Sequence, residues 1–222
     1  MGLVNKLAIL LDFDGTITEH DIGDQVVIKF GTPGWEQGLE RFKRGEITVR
    51  GLWMHEASHL RASDREAMER FVLETAIIRR GLPQLLAFAQ ERGIPVEVAS
   101  SGFGFYIRAI LGAAGLASLP VASPELVFDD AGAGRAHIPE QFVDCTTTAM
   151  CKCDRLRRLR DAGHRVLFVG DGVSDNCVAR EADHLMARAT LATFCDTEGI
   201  PYRPFDTFFD VIEEAKRLSA LR

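Results

Sequence analysis

The stretch Lys6-Leu-Ala-Ile-Leu-Leu-Asp12-Phe-Asp14-Gly-Thr16 begins as a continuous apolar run and then changes abruptly to acidic and polar residues. A short apolar run of this kind is typical of a strand that is buried on both faces of a parallel sheet. Gly15 relaxes the backbone just after the run. The sequence therefore predicts a buried strand over Lys6–Asp12 that ends in two closely spaced carboxylates.

Further apolar runs alternate with helical patterns along the chain. The other predicted strands are Pro95–Ser100, Arg165–Asp171 and the weaker His184–Ala187. The predicted helices are Leu82–Arg92, Phe103–Leu111, Lys152–Ala162 and Ser174–Ala182, with Ser174 as a candidate N-cap. Strands that alternate with helices indicate an α/β fold, a Rossmann-like doubly wound parallel sheet with helices on both faces.

Two segments interrupt this alternation. The first contains helical patterns over Trp35–Arg44, Val49–Leu60 and Asp64–Glu74. We interpret residues 19–80 as an inserted helical cap domain, and residues 1–18 and 81–222 as the core domain. The second segment, residues 118–148, is rich in Pro, Gly and Thr and has a possible hairpin around Asp130–Gly134; its function is open.

Polar clusters follow three of the predicted strands. Asp12 and Asp14 follow the first, Ser100-Ser101-Gly102 the second, and Gly170-Asp171-Gly172 the third. In open α/β sheets, ligands bind beyond the carboxyl ends of the strands. We therefore expect these clusters to converge on one site at that edge of the sheet.

The spacing of Asp12 and Asp14 suits hydrolysis of a phosphate ester. Residues i and i+2 of an extended chain face the same side. One carboxylate can attack phosphorus to form an aspartyl-phosphate, and the other can protonate the leaving oxygen and later deprotonate water. A carboxylate repels a phosphate unless a cation lies between them, so the pair also predicts a bound Mg²⁺.

Ligands for Mg²⁺ and donors for phosphate are present at the same strand ends. The candidate metal ligands are the carboxylates of Asp12 and Asp171 and the backbone carbonyl of Asp14. Asp175 is a candidate for positioning a metal-bound water or Lys152. The candidate phosphate donors are Ser100, the backbone amides of Ser101 and Gly102, and the ammonium group of Lys152.

Four ordered motifs resemble the haloacid dehalogenase superfamily. They are Asp12-Phe-Asp-Gly-Thr-Ile-Thr18, Ser100-Ser-Gly102, Lys152 and Gly170-Asp-Gly-Val-Ser-Asp175, and together they extend over most of the chain. A cap between the first two motifs is similar to the subgroup that contains phosphoserine phosphatases. The resemblance implies a Mg²⁺-dependent phosphatase, with Asp12 as nucleophile and Asp14 as acid/base, that acts on a small phosphorylated metabolite.

Three segments resemble, within that subgroup, the 2-hydroxy-3-keto-5-methylthiopentenyl-1-phosphate phosphatases of methionine salvage. They are Phe71–Arg79, Cys151-Lys152 and the tail Ala187–Asp210. This resemblance implies an enol phosphate substrate. Phosphoserine and other small esters stay open as substrates, and so do a phosphomutase and a non-catalytic module that binds a phosphorylated metabolite. Asp14 argues against a dehalogenase, because a halide leaves without a proton.

The composition limits the partners and the compartment. Of the 222 residues 46% are apolar, and the net charge of −6 argues against a broad nucleic-acid surface. No apolar run approaches the roughly 20 residues of a membrane span. Five cysteines, an odd number, favour free thiols in the cytoplasm over a disulfide framework, and Cys145, Cys151 and Cys153 lack a fourth ligand for zinc. We expect a monomer or a homodimer.

Overall fold

The computed structural model describes residues 6–139 and 146–220. The strands, in chain order, are β1 (Lys6–Leu11), β2 (Val96–Ala99), β3 (Val121–Ala122), β4 (Glu125–Phe128), β5 (Gly134–His137), β6 (His164–Gly170), β7 (His184–Ala187) and β8 (Arg203–Pro204). The helices are α1 (Ile22–Phe30), α2 (Glu36–Lys43), α3 (Val49–Ser58), α4 (Arg65–Thr75), α5 (Leu82–Arg92), α6 (Gly104–Ala113), α7 (Lys152–Asp161), α8 (Asn176–Ala179), α9 (Ala189–Glu198) and α10 (Phe208–Ala220).

Contacts divide the chain into two compact units. The first comprises Met1–Glu19, Ile77–Ala99 and Lys152–Arg222, and the second comprises His20–Ala76 and Ser100–Cys151. Our prediction placed residues 81–222 wholly in the core. The contacts instead group 100–151 with the helices that follow residue 19, because α6 packs on α4 and β5 packs on α3.

The first unit is built on a parallel sheet in the strand order β2-β1-β6-β7-β8. The interior of β1 is fully buried, from Ala8 to Leu11, as its uninterrupted apolar sequence requires. Helix α10 packs on α5 and β1, and α7 packs on β6. The predicted doubly wound α/β fold is confirmed. The chain leaves β1 on one side towards β2 and later crosses to β6 on the other, so the switch point of the sheet lies at β1.

The second unit contains helices α1–α4, helix α6 and a hairpin. Strands β4 and β5 pair antiparallel, with Phe128 opposite Gly134, which confirms the hairpin predicted around Asp130–Gly134. Trp53 of α3 stacks on Phe103 with ring centroids 3.9 Å apart. These aromatic rings form part of the apolar core that holds α3 and α6 together.

One helix is shorter than we predicted. The sequence indicated a helix over Ser174–Ala182 with Ser174 as its N-cap, but residues Val173–Asp175 form a 3₁₀ turn and α8 follows it. The assignment of Ser174 was wrong because Ser174 lies inside this turn, whose N-cap is Gly172. The carboxylate of Asp175 reaches back to the start of the turn and accepts the backbone N–H groups of Asp171 and Gly172 at 3.0 and 3.1 Å. Among the described helices, none is long and apolar enough to cross a membrane.

Candidate active site

Asp12 lies at the carboxyl end of the central strand, where two neighbouring parallel strands end together. Its backbone N–H donates to the carbonyl of Val169 on β6 at 2.9 Å, so the chain is still held by the sheet at this position. The residue is only 4% exposed, and Oδ1 accepts the N–H of Phe13 at 2.7 Å. The carboxylate is therefore fixed in orientation before any ligand binds.

Lys152, the first residue of α7, ties Asp12 to the end of β6. Its ammonium group lies 2.8 Å from Asp12 Oδ1 and donates to Asp175 Oδ1 and, at 3.1 Å, to Ser174 Oγ. Burial alone would lower the pKa of Lys152, but Asp12 and Asp175 outweigh it and raise the pKa above its ordinary value. Lys152 is thus a permanent cation between two buried carboxylates.

Asp171 completes the acidic cluster. Thr16 Oγ1 donates to Asp171 Oδ1 at 2.7 Å, which joins the turn after Asp12 to the end of β6. Burial and then the charge of Asp175 raise the pKa of Asp171 to about 6. The turn approaches Asp171 so closely that a Cβ on Gly15, whose φ is +72°, would overlap the carboxylate.

The cluster has the donor set and the charge that a divalent cation requires. Asp12, Asp171 and Asp175 each offer a carboxylate oxygen, and these oxygens lie within 4.8 Å of one another. Burial, followed by the charge of Asp175, raises the pKa of Asp12 well above its usual range, with Asp171 adding to the rise and Lys152 acting against it. One ammonium group does not balance three carboxylates, so Mg²⁺, which prefers oxygen ligands, fits this site.

The hydrogen bonds divide the three carboxylates into two classes. Both oxygens of Asp175 are occupied, Oδ1 by Lys152 and Oδ2 by two backbone N–H groups. Asp12 and Asp171 each keep Oδ2 without a hydrogen bond from the described residues. The roles of Asp12 and Asp171 as metal ligands and of Asp175 as a supporting residue stay predictions.

The remaining predicted site residues occupy two places. Asp14 is half-buried in the turn directly after Asp12. Ser100, Ser101 and Gly102 belong to the second unit, where Gly102 N–H donates to Ser100 Oγ at 2.9 Å and the buried Ser101 Oγ has no hydrogen-bond partner in the described chain. Their assignment as phosphate donors stays a prediction.

Two polar residues of this region escaped the sequence analysis. Thr16 was quoted within the first motif but received no role, although a hydroxyl two residues after Asp14 is a natural donor to a neighbouring carboxylate. Arg79 carried no signal, because nothing in the sequence shows that an arginine is buried. Cys145 lies outside the described residues; Cys151 and Cys153 form no disulfide with a described residue.

Comparison with known proteins decides the family. The model of the haloacid dehalogenase-like hydrolase family matches residues 9–180, a range that contains all four motifs. The chain belongs to the haloacid dehalogenase-like hydrolases. This confirms the superfamily predicted from the motifs.

Relatives of this hydrolase match it along its whole length. The 2-hydroxy-3-keto-5-methylthiopentenyl-1-phosphate phosphatase of Geobacillus kaustophilus is 31% identical over 227 residues, which cover 99% of this chain and 100% of the relative. The phosphatase of the same name from Brevibacillus brevis is 32% identical over 208 residues, which cover 93% and 94%. The prediction that the chain is an enzyme, a phosphoric monoester hydrolase, is confirmed.

A solved structure supports the fold of the hydrolase. The crystal structure of phosphoserine phosphatase from T. onnurineus, in complex with NDSB-201, has a TM-score of 0.67 and 19% sequence identity. The match covers 96% of this chain and 95% of the other. At this identity the likeness concerns the fold.

Proposed function

We propose that this hydrolase removes the phosphate group of 2-hydroxy-3-keto-5-methylthiopentenyl-1-phosphate, in the cytoplasm, as a step of methionine salvage. The observation that carries the reaction is the buried contact of Lys152 with both Asp12 and Asp175. The choice of substrate is supported by relatives of that name, one of which is 31% identical to this chain in a match that covers 99% of it.

Asp12 is the nucleophile in this proposal. Lys152 and the Phe13 N–H hold Oδ1, so Oδ2 is the oxygen left to attack phosphorus. The new bond joins Asp12 Oδ2 to phosphorus as the bond to the ester oxygen breaks, giving an aspartyl-phosphate. Lys152 lowers the pKa of the attacking carboxylate and so opposes the rise that burial causes.

Asp14 moves the protons. In the first step its carboxyl group donates a proton to the departing oxygen of the substrate. In the second step its carboxylate takes a proton from the water that attacks phosphorus, and the bond to Asp12 breaks. At the end Asp12 is again a carboxylate and Asp14 again carries its proton. The covalent intermediate divides one difficult reaction into two easier steps.

Mg²⁺ and the phosphate donors supply positive charge and hydrogen bonds. The carboxylates of Asp12 and Asp171 and the backbone carbonyl of Asp14 would hold the ion. When it is bound, Mg²⁺ neutralises charge between the carboxylates and the phosphate. Ser100, with the amides of Ser101 and Gly102, would bind the phosphoryl oxygens, while the predicted cap, residues 19–80, would exclude water and select the organic group.

Phosphate release from a panel of esters tests this proposal. The panel contains the enol phosphate, generated in place by coupling enzymes, together with phosphoserine, and each is assayed with Mg²⁺ and with EDTA. We expect kcat/KM to be highest for the enol phosphate, activity to disappear in EDTA and return with Mg²⁺, and Asp12→Asn to be inactive. Equal rates on all esters would refute the proposal that the enol phosphate is the substrate. Activity that survives prolonged chelation would refute the requirement for Mg²⁺.

A further inference from the structure

Arg79 is a buried cation that makes no ion pair with any described residue. It is 5% exposed, and its guanidinium donates to backbone carbonyl groups instead of carboxylates. The acceptors are Thr16 O at 2.8 Å, Gly15 O at 2.8 Å, Thr18 O at 3.2 Å and Asp206 O at 3.2 Å. Burying a charge without a counter-ion is costly, which makes a merely space-filling role a poor explanation for an arginine here.

Three of the four acceptors lie on the turn that carries Asp14. On its inner side this turn is closed by the Phe13 carbonyl, which accepts the N–H groups of Thr16 and Thr18 at 3.2 and 3.0 Å. On its outer side the carbonyl groups of Gly15, Thr16 and Thr18 all point to Arg79. The planar guanidinium can bind several acceptors at fixed angles, so Arg79 holds three carbonyl groups on the outer side of the turn. Arg188 adds one longer bond to Gly15 O, at 3.4 Å.

Arg79 is itself held rigidly by the chain on both sides of the turn. The backbone N–H of Arg79 donates to Ile17 O at 2.8 Å, and the backbone N–H of Glu19 donates to Ile77 O at 2.9 Å. Between them, Thr18 and Ile78 form an antiparallel β-bridge. This short antiparallel ribbon contains the two points at which the chain leaves and re-enters the first unit. The fourth acceptor, Asp206 O, connects the same guanidinium to the segment before α10.

We propose that Arg79 is a positioning residue for phosphoryl transfer, one that fixes the Gly15–Thr18 turn and thereby the carboxyl group and backbone carbonyl of Asp14. It touches neither the substrate nor the reacting atoms. Arg79 has this role only if Asp14 acts as proposed above, as acid/base and as a ligand of Mg²⁺ through its carbonyl. A loosened turn would misplace both groups of Asp14 while Asp12, held by β1 and Lys152, stays in place.

The test compares Arg79→Lys with a matched surface variant, Arg180→Lys. Lysine keeps the positive charge but cannot bind four acceptors in one plane. We expect kcat of Arg79→Lys to fall about 100-fold with KM changed less than about threefold, because misplacement of a catalytic group affects the reaction step. Arg180, which pairs with Glu198 at the surface at 2.8 Å, should tolerate the change with unaltered kinetics.

Three further measurements separate positioning from folding and from the proposed reaction. Near-UV circular dichroism gives the folded fraction to which each rate is normalised. Guanidinium at millimolar concentration is added to Arg79→Ala, and partial recovery of kcat is expected. Mg²⁺ affinity, measured by calorimetry without substrate, should weaken about tenfold in Arg79→Lys. An unchanged kcat in folded Arg79→Lys would overturn the inference. A wild-type protein that hydrolyses no ester would refute the proposed function, whatever Arg79 does. Mg²⁺ affinity is measured without substrate, so an unchanged affinity in Arg79→Lys would then refute the role of Arg79 by itself.

Discussion

Glu56, in the second unit, makes the stability of the protein depend on pH. The residue lies on α3 and is 8% exposed, and its carboxyl group makes no hydrogen bond or ion pair within the described chain. Burial and then the charge of Asp24 raise its pKa from 4.5 to about 8. At neutral pH, Glu56 is therefore protonated in the folded protein and ionised in the unfolded chain.

The size and sign of the effect follow from proton linkage. A tenfold shift of a protonation equilibrium corresponds to about 1.4 kcal/mol. A pKa that rises from 4.5 to about 8 therefore sets an upper limit of about 5 kcal/mol on the pH-dependent free energy. Because the folded state holds a proton that the unfolded state releases, this stability is fully present below pH 4.5 and is lost as pH rises to about 8.

Glu56→Gln isolates this contribution, because glutamine resembles the protonated acid and cannot ionise. Urea unfolding monitored by circular dichroism, at about pH 5.5 and about pH 8.5, measures both proteins. Because the lower pH is already one unit above 4.5, we expect the variant to be more stable than the wild type by up to about 1.4 kcal/mol there, and by about 2–5 kcal/mol at the higher pH. The exposed Glu66→Gln serves as control and should show no such divergence. A difference between Glu56→Gln and the wild type that does not change with pH would refute the reasoning.

Three other perturbations probe the active site. Lys152→Met leaves two buried carboxylates unpaired, so we expect urea unfolding to show a free energy of unfolding lower by about 3–5 kcal/mol. The control Lys216→Met, at the surface, should lower it by at most about 1 kcal/mol. Equal losses in the two variants would contradict the buried contact of Lys152. Gly15→Ala adds a Cβ that overlaps Asp171, so kcat should fall about 100-fold, while Gly93→Ala, which has a similar φ but open space around it, should keep wild-type kcat. Removal of Mg²⁺ should lower the thermal midpoint of the wild type and leave that of Asp171→Asn nearly unchanged, and equal shifts would argue against a metal at Asp171.

The sheet and its polar edge could be predicted because their signals are local. The continuous apolar runs of β1, β2, β6 and β7 each occupy one short window, and the glycines and acids that follow mark where each strand ends. Parallel strands bring their carboxyl ends together, so the approach of Asp12 to Asp171 followed from the alternation of elements. The resemblance to the family, which rests on the order of the four motifs, added the expected roles of Asp12 and Asp14.

The parts that could not be predicted depend on contacts between distant segments. Arg79 and Gly15 are 64 residues apart, and no local pattern indicates that a guanidinium binds four carbonyl groups. The grouping of 100–151 with α1–α4 likewise arises from packing between α6 and α4. Ser174 resembled an N-cap by residue type alone, but it lies inside the 3₁₀ turn Val173–Asp175, and its hydroxyl accepts a hydrogen bond from Lys152 of the distant helix α7. The exact limits of the cap and the phosphate contacts of Ser100 stay predictions.

A covalent phosphoryl group on Asp12 would distinguish the proposed mechanism from direct attack by water. Rapid acid quenching of the enzyme during turnover, followed by proteolysis and mass spectrometry, would locate it, with Asp12→Asn as the control. We predict that the peptide containing Asp12 carries one phosphoryl group in the wild type and that the corresponding peptide of Asp12→Asn carries none. An unmodified Asp12 in enzyme that is turning over, or a phosphoryl group on another residue, would contradict the role of Asp12.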